Sequence, residues 1–164
     1  MKRITFLMLA LVTTFSSLLA QRPSPEATAT GTIGAAKVKI VYSQPSARGR
    51  KIMGDLVPFG KVWRTGANDV TAIEFDKPVK IEGKDLAAGK YSLFSIPGEN
   101  EWVIIINKDY KSNYDEYKQS NDVLRVTAKS TKSKDFVETF TISVGKDEIQ
   151  LKWENTVVAF KVKG

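Results

Sequence analysis

Hydrophobic and polar residues alternate along much of the chain. Val38, Ile40 and Tyr42 fall on one side of an extended segment, with Lys37 and Lys39 on the other. A period of two residues is typical of strands that bury one face. No segment keeps the 3.6-residue apolar period of a helix. The same alternation therefore predicts strands in six further segments: 73–75, 79–81, 124–128, 140–144, 149–153 and 158–162.

Two neighbouring segments are apolar enough to be covered on both sides. Residues 91–96 carry bulky side chains on both faces, and residues 102–106 form a continuous apolar run. Buried central strands have this composition. Pro97 and Gly98 lie between the two segments, where a turn needs such residues, so the pattern predicts a central hairpin. Residues 27–33 predict a weak edge strand, and residues 145–147 and 154–156 predict turns.

Short strands joined by tight polar turns define the predicted fold. We count roughly nine or ten short strands, and connections this short do not permit parallel crossovers. The sequence therefore predicts an all-β domain over residues 27–164, an antiparallel β-sandwich or flattened barrel, with one long structured loop. The length of 164 residues and the 42% hydrophobic content fit one globular domain.

That long loop, residues 43–70, interrupts the alternation. Gly49, Gly54, Gly60 and Gly66 punctuate it, and it also carries apolar residues that predict packing against the domain. Residues 52–57 are consistent with a short helix. Loops of this length in compact domains are usually functional or carry their own structure.

The same segment, which we call the 43–70 loop, concentrates positive charge. Guanidinium groups recognise carboxylates and phosphates in pairs of hydrogen bonds. We therefore predict a ligand-binding surface formed by Arg48, Arg50, Trp63, Arg64 and Asn68. In the alternative interpretation, the arginines pair with Asp55, Asp69 or backbone carbonyls and pin the loop to the sandwich.

The first twenty residues have the pattern of a secretion signal. Lys2 and Arg3 precede an apolar run over residues 4–19, and Ala20 stands before a plausible cleavage point. Residues 1–20 are thus a predicted signal peptide, residues 21–26 a flexible leader, and the protein is expected in the periplasm or outside the cell. An uncleaved anchor is the alternative. No second apolar stretch predicts a membrane span in the mature chain.

Histidine and cysteine are both absent from the chain. Their absence excludes thiolate nucleophiles, Ser-His-Asp relays and the common zinc sites. We expect no cofactor and no metal site, since Asp109, Asn113, Asp115 and Glu116 offer calcium ligands without the spacing of an EF-hand. The formal charge of +7 would suit nucleic acid, but the export signal argues against that partner.

Carboxylates leave one enzymatic alternative, because a pair of them hydrolyses glycosides without histidine. Asp69 with Glu74 is the weak candidate. Trp102 and Trp153 occupy core-facing strand positions, whereas Trp63 suits either core packing or stacking on a sugar. Three further pairs of carboxylates fall where exposed charge is expected: Glu99 with Glu101, Asp115 with Glu116, and Asp147 with Glu148.

Three runs in and around the 43–70 loop are specific enough to compare with known families: Tyr-Ser-Gln-Pro-Ser at 42–46, Gly-Arg-Lys-Ile at 49–52 and Val-Pro-Phe-Gly-Lys-Val-Trp-Arg-Thr-Gly-Ala-Asn at 57–68. Residues 86–98 and the pair Glu101-Trp102 form a second block. Both blocks resemble the signature of an exported bacterial family, domain of unknown function 2911. The resemblance implies the fold class and export, and it brings no established activity or catalytic residues.

Three functions are compatible with these observations. The first is a non-enzymatic envelope module that binds a small anionic ligand, a glycan or a partner protein through the 43–70 loop. The second is a carboxylate-dependent hydrolase that uses residues near Asp69. The third is a structural accessory subunit of an outer-envelope complex.

Overall fold

A computed structural model describes residues 24–110 and 117–164. The predicted signal peptide and the leader residues 21–23 lie outside the described residues, as do Asn113, Asp115 and Glu116. The described chain is all-β, and its one helical element is a short 3-10 turn at Gln119–Asn121. No helix in these two ranges is long and apolar enough for a membrane span. The strands are β1 Glu26–Ile33, β2 Ala36–Ser43, β3 Ala72–Phe75, β4 Val79–Ile81, β5 Lys84–Leu86, β6 Gly89–Ile96, β7 Glu101–Asn107, β8 Asp122–Val144 and β9 Glu148–Lys163.

The nine strands form one antiparallel sheet that is not closed into a barrel. Its strand order is β1-β2-β3-β6-β7-β8-β9-β4-β5. Strand β8 pairs with β7 through its first half, where Ala128 opposes Trp102, and with β9 through its second half, where Ile142 opposes Leu151. The second half of β8 also contacts β2: the backbone N–H of Ile142 donates to the Tyr42 hydroxyl at 3.0 Å. The predicted all-β antiparallel fold is confirmed.

Strands β8 and β9 are much longer than the sequence pattern predicts. Residues 124–128 and 140–144 belong to one strand of 23 residues, and the predicted turn at 154–156 lies inside the 16-residue β9. The predicted strand ends were wrong because the alternation stops where β8 leaves the core, whereas the strand itself continues beyond that point. Its register against β9 shifts twice there, and Glu154 takes a φ of 55°. Bulges of this kind bend a strand without ending it.

The central hairpin is buried on both faces, as predicted. Leu93 and Phe94 on β6 point to opposite sides and are both fully buried. Ile104, Ile105 and Ile106 on β7 are fully buried as well. The Tyr117 ring packs against Phe94 with the ring centroids 4.9 Å apart, which covers part of the second face.

Candidate functional site

The 43–70 loop leaves the end of β2 and folds against the second half of β8. The backbone N–H of Ala47 donates to the Glu138 carbonyl at 2.8 Å, and that of Phe140 donates to the Pro45 carbonyl at 2.9 Å. Ser46 opposes Thr139 in an isolated antiparallel bridge. The first turn of the loop therefore extends the sheet and has a fixed position.

Two glutamates on the long strands hold the next part of the loop. The Glu138 carboxylate accepts the backbone N–H of Arg48 at 2.7 Å. The Glu154 carboxylate accepts those of Ile52 and Met53 at 3.2 and 3.4 Å. Ionised acceptors make hydrogen bonds about twice as strong as neutral ones. Sequence reasoning missed both anchors, because neither glutamate is near the loop along the chain.

The expected short helix at residues 52–57 is absent. The segment is a compact turn in which the N–H of Val57 donates to the Ile52 carbonyl and the N–H of Gly54 donates to the Val57 carbonyl, both at 2.9 Å. The turn buries Ile52 and Val57 and leaves Leu56 on the outside. Glu154 takes the N–H groups of Ile52 and Met53, and this contact favours the turn over a helix.

The run from Trp63 to Asn68 is a tight loop closed by its own hydrogen bonds. Trp63 exchanges backbone hydrogen bonds with Ser95 on β6 at 2.7 and 2.9 Å. The indole N–H of Trp63 donates to the Gly66 carbonyl at 3.0 Å, and Arg64 Nη1 donates to the Asn68 carbonyl at 2.6 Å. The last two bonds fix the side chains of Trp63 and Arg64 relative to the backbone of the run.

Thr65 carries backbone strain inside this run. Its φ is 53°, a region that β-branched residues rarely adopt. It is fully buried, its hydroxyl pairs with Ser95 Oγ at 2.9 Å, and its carbonyl accepts the Thr71 hydroxyl at 2.7 Å. Gly66 beside it leaves little room for a side chain, since an added Cβ would lie 3.0 Å from Thr71 Oγ1 and 3.2 Å from the Ser43 carbonyl oxygen. Strain held by its surroundings is common at functional sites.

Trp63 lies over an aromatic cluster in the core. Its ring stacks on Trp153 at 6.0 Å and meets Trp102 and Phe140 edge-on at 5.9 and 5.1 Å. Trp102 and Trp153 are 1% and 2% exposed, which confirms their predicted core positions. Trp63 is only half-buried. Its ring therefore joins the core to the surface of the loop.

That surface is a cavity of about 650 Å³. All five predicted binding residues line it: Arg48, Arg50, Trp63, Arg64 and Asn68. Lys61 adds a fourth cation to the wall, and no acidic residue is among the described residues that line the cavity. The apolar part of the wall includes Leu56, Val57, Pro58, Val62 and Trp153. Lys61 was not among the contacts predicted from the sequence.

Backbone carbonyls orient two of the guanidinium groups. Arg50 donates from Nε to the Ala47 carbonyl at 3.0 Å and from Nη2 to the Ser46 carbonyl at 2.8 Å. Arg64 is held by the Asn68 carbonyl. The pinning interpretation therefore applies to Arg50 and Arg64, since carbonyls of the loop hold both side chains. A carbonyl fixes a guanidinium without cancelling its charge, so these contacts are compatible with anion binding.

Asn68 ties the beginning of the described chain to the loop. Its side-chain amide donates to the Ser24 carbonyl at 3.0 Å, and its φ is 55°. Ser24 lines the same cavity. The amide group of Asn68 thus contributes to the shape of the cavity as well as to its polar wall.

The carboxylates considered for catalysis do not meet in the cavity. Asp69 is exposed and is not among the described lining residues. Glu74 lies on β3, opposite Lys39 and Lys90 on the neighbouring strands. The described residues include no group of three acidic side chains that could hold a metal ion. The pair Asp115 and Glu116 lies outside the described residues.

A second cavity of about 520 Å³ lies on the outer face of β1, β2 and β3. Its wall mixes charges of both signs, with Lys37 and Lys39 beside Glu74 and Asp76. Asp76 accepts the backbone N–H of Lys37 at 2.6 Å. Such mixed charge is typical of a solvated sheet face and favours no ligand of one sign.

A polar cluster at the start of β8 accounts for Arg125. Its guanidinium donates to the Asp122 carboxylate at 2.7 Å and to the Tyr117 hydroxyl at 2.9 Å. Burial raises the pKa of Tyr117, the hydrogen bond to Asp122 adds to the rise, and Arg125 opposes it. This arginine therefore has a structural partner of opposite charge, in contrast to the carbonyl-held Arg50.

Taken together, the fold and the site define a class: small all-β proteins in which one strained loop forms a cationic cavity over an aromatic cluster. The sequence profile of a family described as "Protein of unknown function (DUF2911)" matches residues 24–162. The chain belongs to this family, as the runs at 42–46, 49–52 and 57–68 predicted. No curated protein and no solved structure matches the chain significantly.

Proposed function

We propose that this protein is a non-enzymatic binding module that takes a small anionic ligand into the cavity of the 43–70 loop. The observation that carries the proposal is the convergence of Arg48, Arg50, Lys61 and Arg64 on one cavity whose described wall has no acidic residue. In this proposal the predicted signal peptide at residues 1–20 carries the module out of the cytoplasm.

The geometry favours a ligand over a bare charged surface. A volume of about 650 Å³ lies within the range of small-molecule sites, roughly 300–1,000 Å³. The loop is fixed by Glu138, Glu154 and Ser95 before any ligand arrives, so little ordering entropy is lost on binding. Guanidinium forks would pair with the oxygens of a carboxylate or phosphate.

The carboxylate-dependent hydrolase receives no support from this cavity. Glycoside hydrolysis needs two carboxyl groups that face each other across the substrate, roughly 5–10 Å apart. The described wall supplies cations, amides and apolar groups instead. The residues present suit retention of an anion.

Two lysines provide a matched test of the proposal. Lys61 lines the cavity, whereas Lys146 lies in the exposed turn between β8 and β9 and does not. Lys61→Gln and Lys146→Gln change the net charge equally. We expect Lys61→Gln to weaken binding of inorganic phosphate about three- to tenfold at low salt, because one nearby cation is worth about 1 kcal/mol there. Calorimetric titration measures the dissociation constant for phosphate in each variant.

The control decides between a site and a general charge effect. Lys146→Gln should keep the phosphate affinity of the wild type within a factor of about two. Equal losses in both variants, or no saturable phosphate binding by the wild type, would contradict a specific anion site in the loop.

A further inference from the structure

We infer that the ligand is an amphipathic anion, with a compact acidic head on the cations of the cavity and an apolar body against Leu56 and Pro58, which we call the rim. This inference rests on the proposed function and specifies the ligand class. The shared chemistry is a phosphate or carboxylate head joined to an alkyl or aromatic group.

The cationic wall is suited to a compact head. Arg48, Arg50 and Arg64 come from two separate parts of the loop and line the same cavity as Lys61. Arg50 and Arg64 are both oriented by carbonyls of the loop itself. Converging cations stabilise one concentrated negative charge better than they stabilise charge spread along a long ligand.

Leu56 and Pro58, two apolar residues of the cavity wall, are exposed to solvent. Leu56 is 45% exposed although it lines the cavity, and Phe59, nearby in the sequence, is 38% exposed. Pro58 lies between them and also lines the cavity. A hydrophilic anion such as phosphate would leave all three in water, whereas the apolar body of an amphipathic anion would cover Leu56 and Pro58.

Backbone hydrogen bonds hold the turn that carries these side chains. The N–H of Gly54 is bonded to the Val57 carbonyl, and the N–H of Gly60 donates to the Pro97 carbonyl at 2.8 Å. Val57 is buried and anchors the turn between those two bonds. The exposed position of Leu56 is therefore built into the fold, and the apolar surface beside the cations is preformed.

A series of alkyl phosphates tests the inference. Methyl phosphate, butyl phosphate and hexyl phosphate present the same head with a growing alkyl tail. Each is titrated at concentrations at which it is a soluble monomer. One fully buried methylene is worth about 0.8 kcal/mol, which corresponds to about fourfold in affinity. Because the rim stays partly open, we expect hexyl phosphate to bind at least about tenfold more tightly than methyl phosphate.

Matched variants locate the tail. Leu56 and Val123 are both 45% exposed, but only Leu56 lines the cavity. Leu56→Ser should reduce the ratio of hexyl to methyl phosphate affinity to about threefold or less, and Val123→Ser should leave it unchanged. The circular dichroism spectra of both variants should match that of the wild type, which shows that each remains folded.

The outcomes separate this inference from the proposed function. If methyl phosphate binds with a dependence on Lys61 and the tail adds nothing, the amphipathic inference is wrong while the anion site stands. If no phosphate ester binds at all, both are wrong. Vesicles that contain phosphatidylglycerol distinguish the source of the ligand. Co-sedimentation of the protein that is lost in Leu56→Ser assigns the head and tail to a membrane lipid. Binding of alkyl phosphates without co-sedimentation assigns them to a soluble amphiphile.

Discussion

Thr65 shows how single residues of this site depend on distant ones. Its left-handed backbone is held by Ser95 on β6 and by Thr71 before β3. A β-branched residue in this conformation costs on the order of 1–3 kcal/mol, and its buried hydrogen bonds help to offset that cost. The sequence placed Arg64 and Asn68 in one candidate site because they are neighbours. It could not predict the strain between them, since the residues that impose it lie elsewhere.

Tyr117 offers a prediction at the scale of one residue. Its pKa is raised from 10.0 by burial and by the hydrogen bond to Asp122, against the opposing effect of Arg125. The folded state therefore prefers the neutral phenol. The resulting stabilisation is fully present below pH 10.0 and is lost as the pH rises through the higher pKa of the folded state.

Urea unfolding from about pH 8 to about pH 11 checks this sign. The free energy of unfolding of the wild type should fall more steeply above pH 10 than that of Tyr117→Phe. The variant should also be less stable near neutral pH by about 1 kcal/mol, because it loses the hydrogen bond to Asp122. Parallel curves for the two proteins above pH 10 would contradict the raised pKa.

At the scale of elements, the sequence predicted strands better than it predicted where they end. The alternation located β2, β3, β4 and the β6–β7 hairpin, because each of these buries one or both faces along its whole length. It failed in β8 and β9, whose middle parts leave the core and lose the pattern while backbone pairing continues. Hydrophobic periodicity reports burial, and pairing outside the core leaves no such signal.

The 43–70 loop gives a prediction about how an element is held. Glu154→Ala removes the carboxylate that accepts the N–H groups of Ile52 and Met53. Hydrogen bonds to a charged acceptor contribute about 1.5–3 kcal/mol, so amide exchange at Ile52 and Met53 should speed up by at least about tenfold. Native-state hydrogen exchange measures these amides beside those of β7.

Glu148→Ala is the control on the same strand. The Glu148 carboxylate is bonded to Gln150 on its own strand. Glu148→Ala should leave amide exchange at Ile52 and Met53 at the wild-type rate. In Glu154→Ala, the increase in exchange at these two amides should exceed the increase in β7. A uniform increase across the loop and the β7 strand would mean that Glu154 stabilises the whole domain and does not specifically hold the loop.

At the scale of the molecule, the fold and the location of the site follow from different parts of the sequence. Alternating strands specify the sheet, and the one segment without alternation forms the cavity. Composition identified the cations of that segment, because arginine clusters there. Composition could not show that Leu56 and Pro58 share the wall with them, since that depends on the turn that Glu154 holds in place.

The functional proposal depends on the chemistry of one cavity. Anion binding should be confined to the 43–70 loop, although the chain as a whole is basic. The second cavity, between Lys37, Lys39 and Glu74, provides an internal comparison, because it has a similar size and mixed charge. A general attraction of anions to a basic protein would not distinguish the two surfaces.

The most direct test is a titration of the ¹⁵N-labelled protein with inorganic phosphate, followed by two-dimensional NMR. We predict saturable shifts confined to the backbone amides of the 43–70 loop and to the indole N–H of Trp63. The amides of Lys37, Lys39 and Glu74 should not move. Shifts spread over both cavities, or no saturable shift in the loop, would contradict the claim that this protein binds an anion in the cavity of its 43–70 loop.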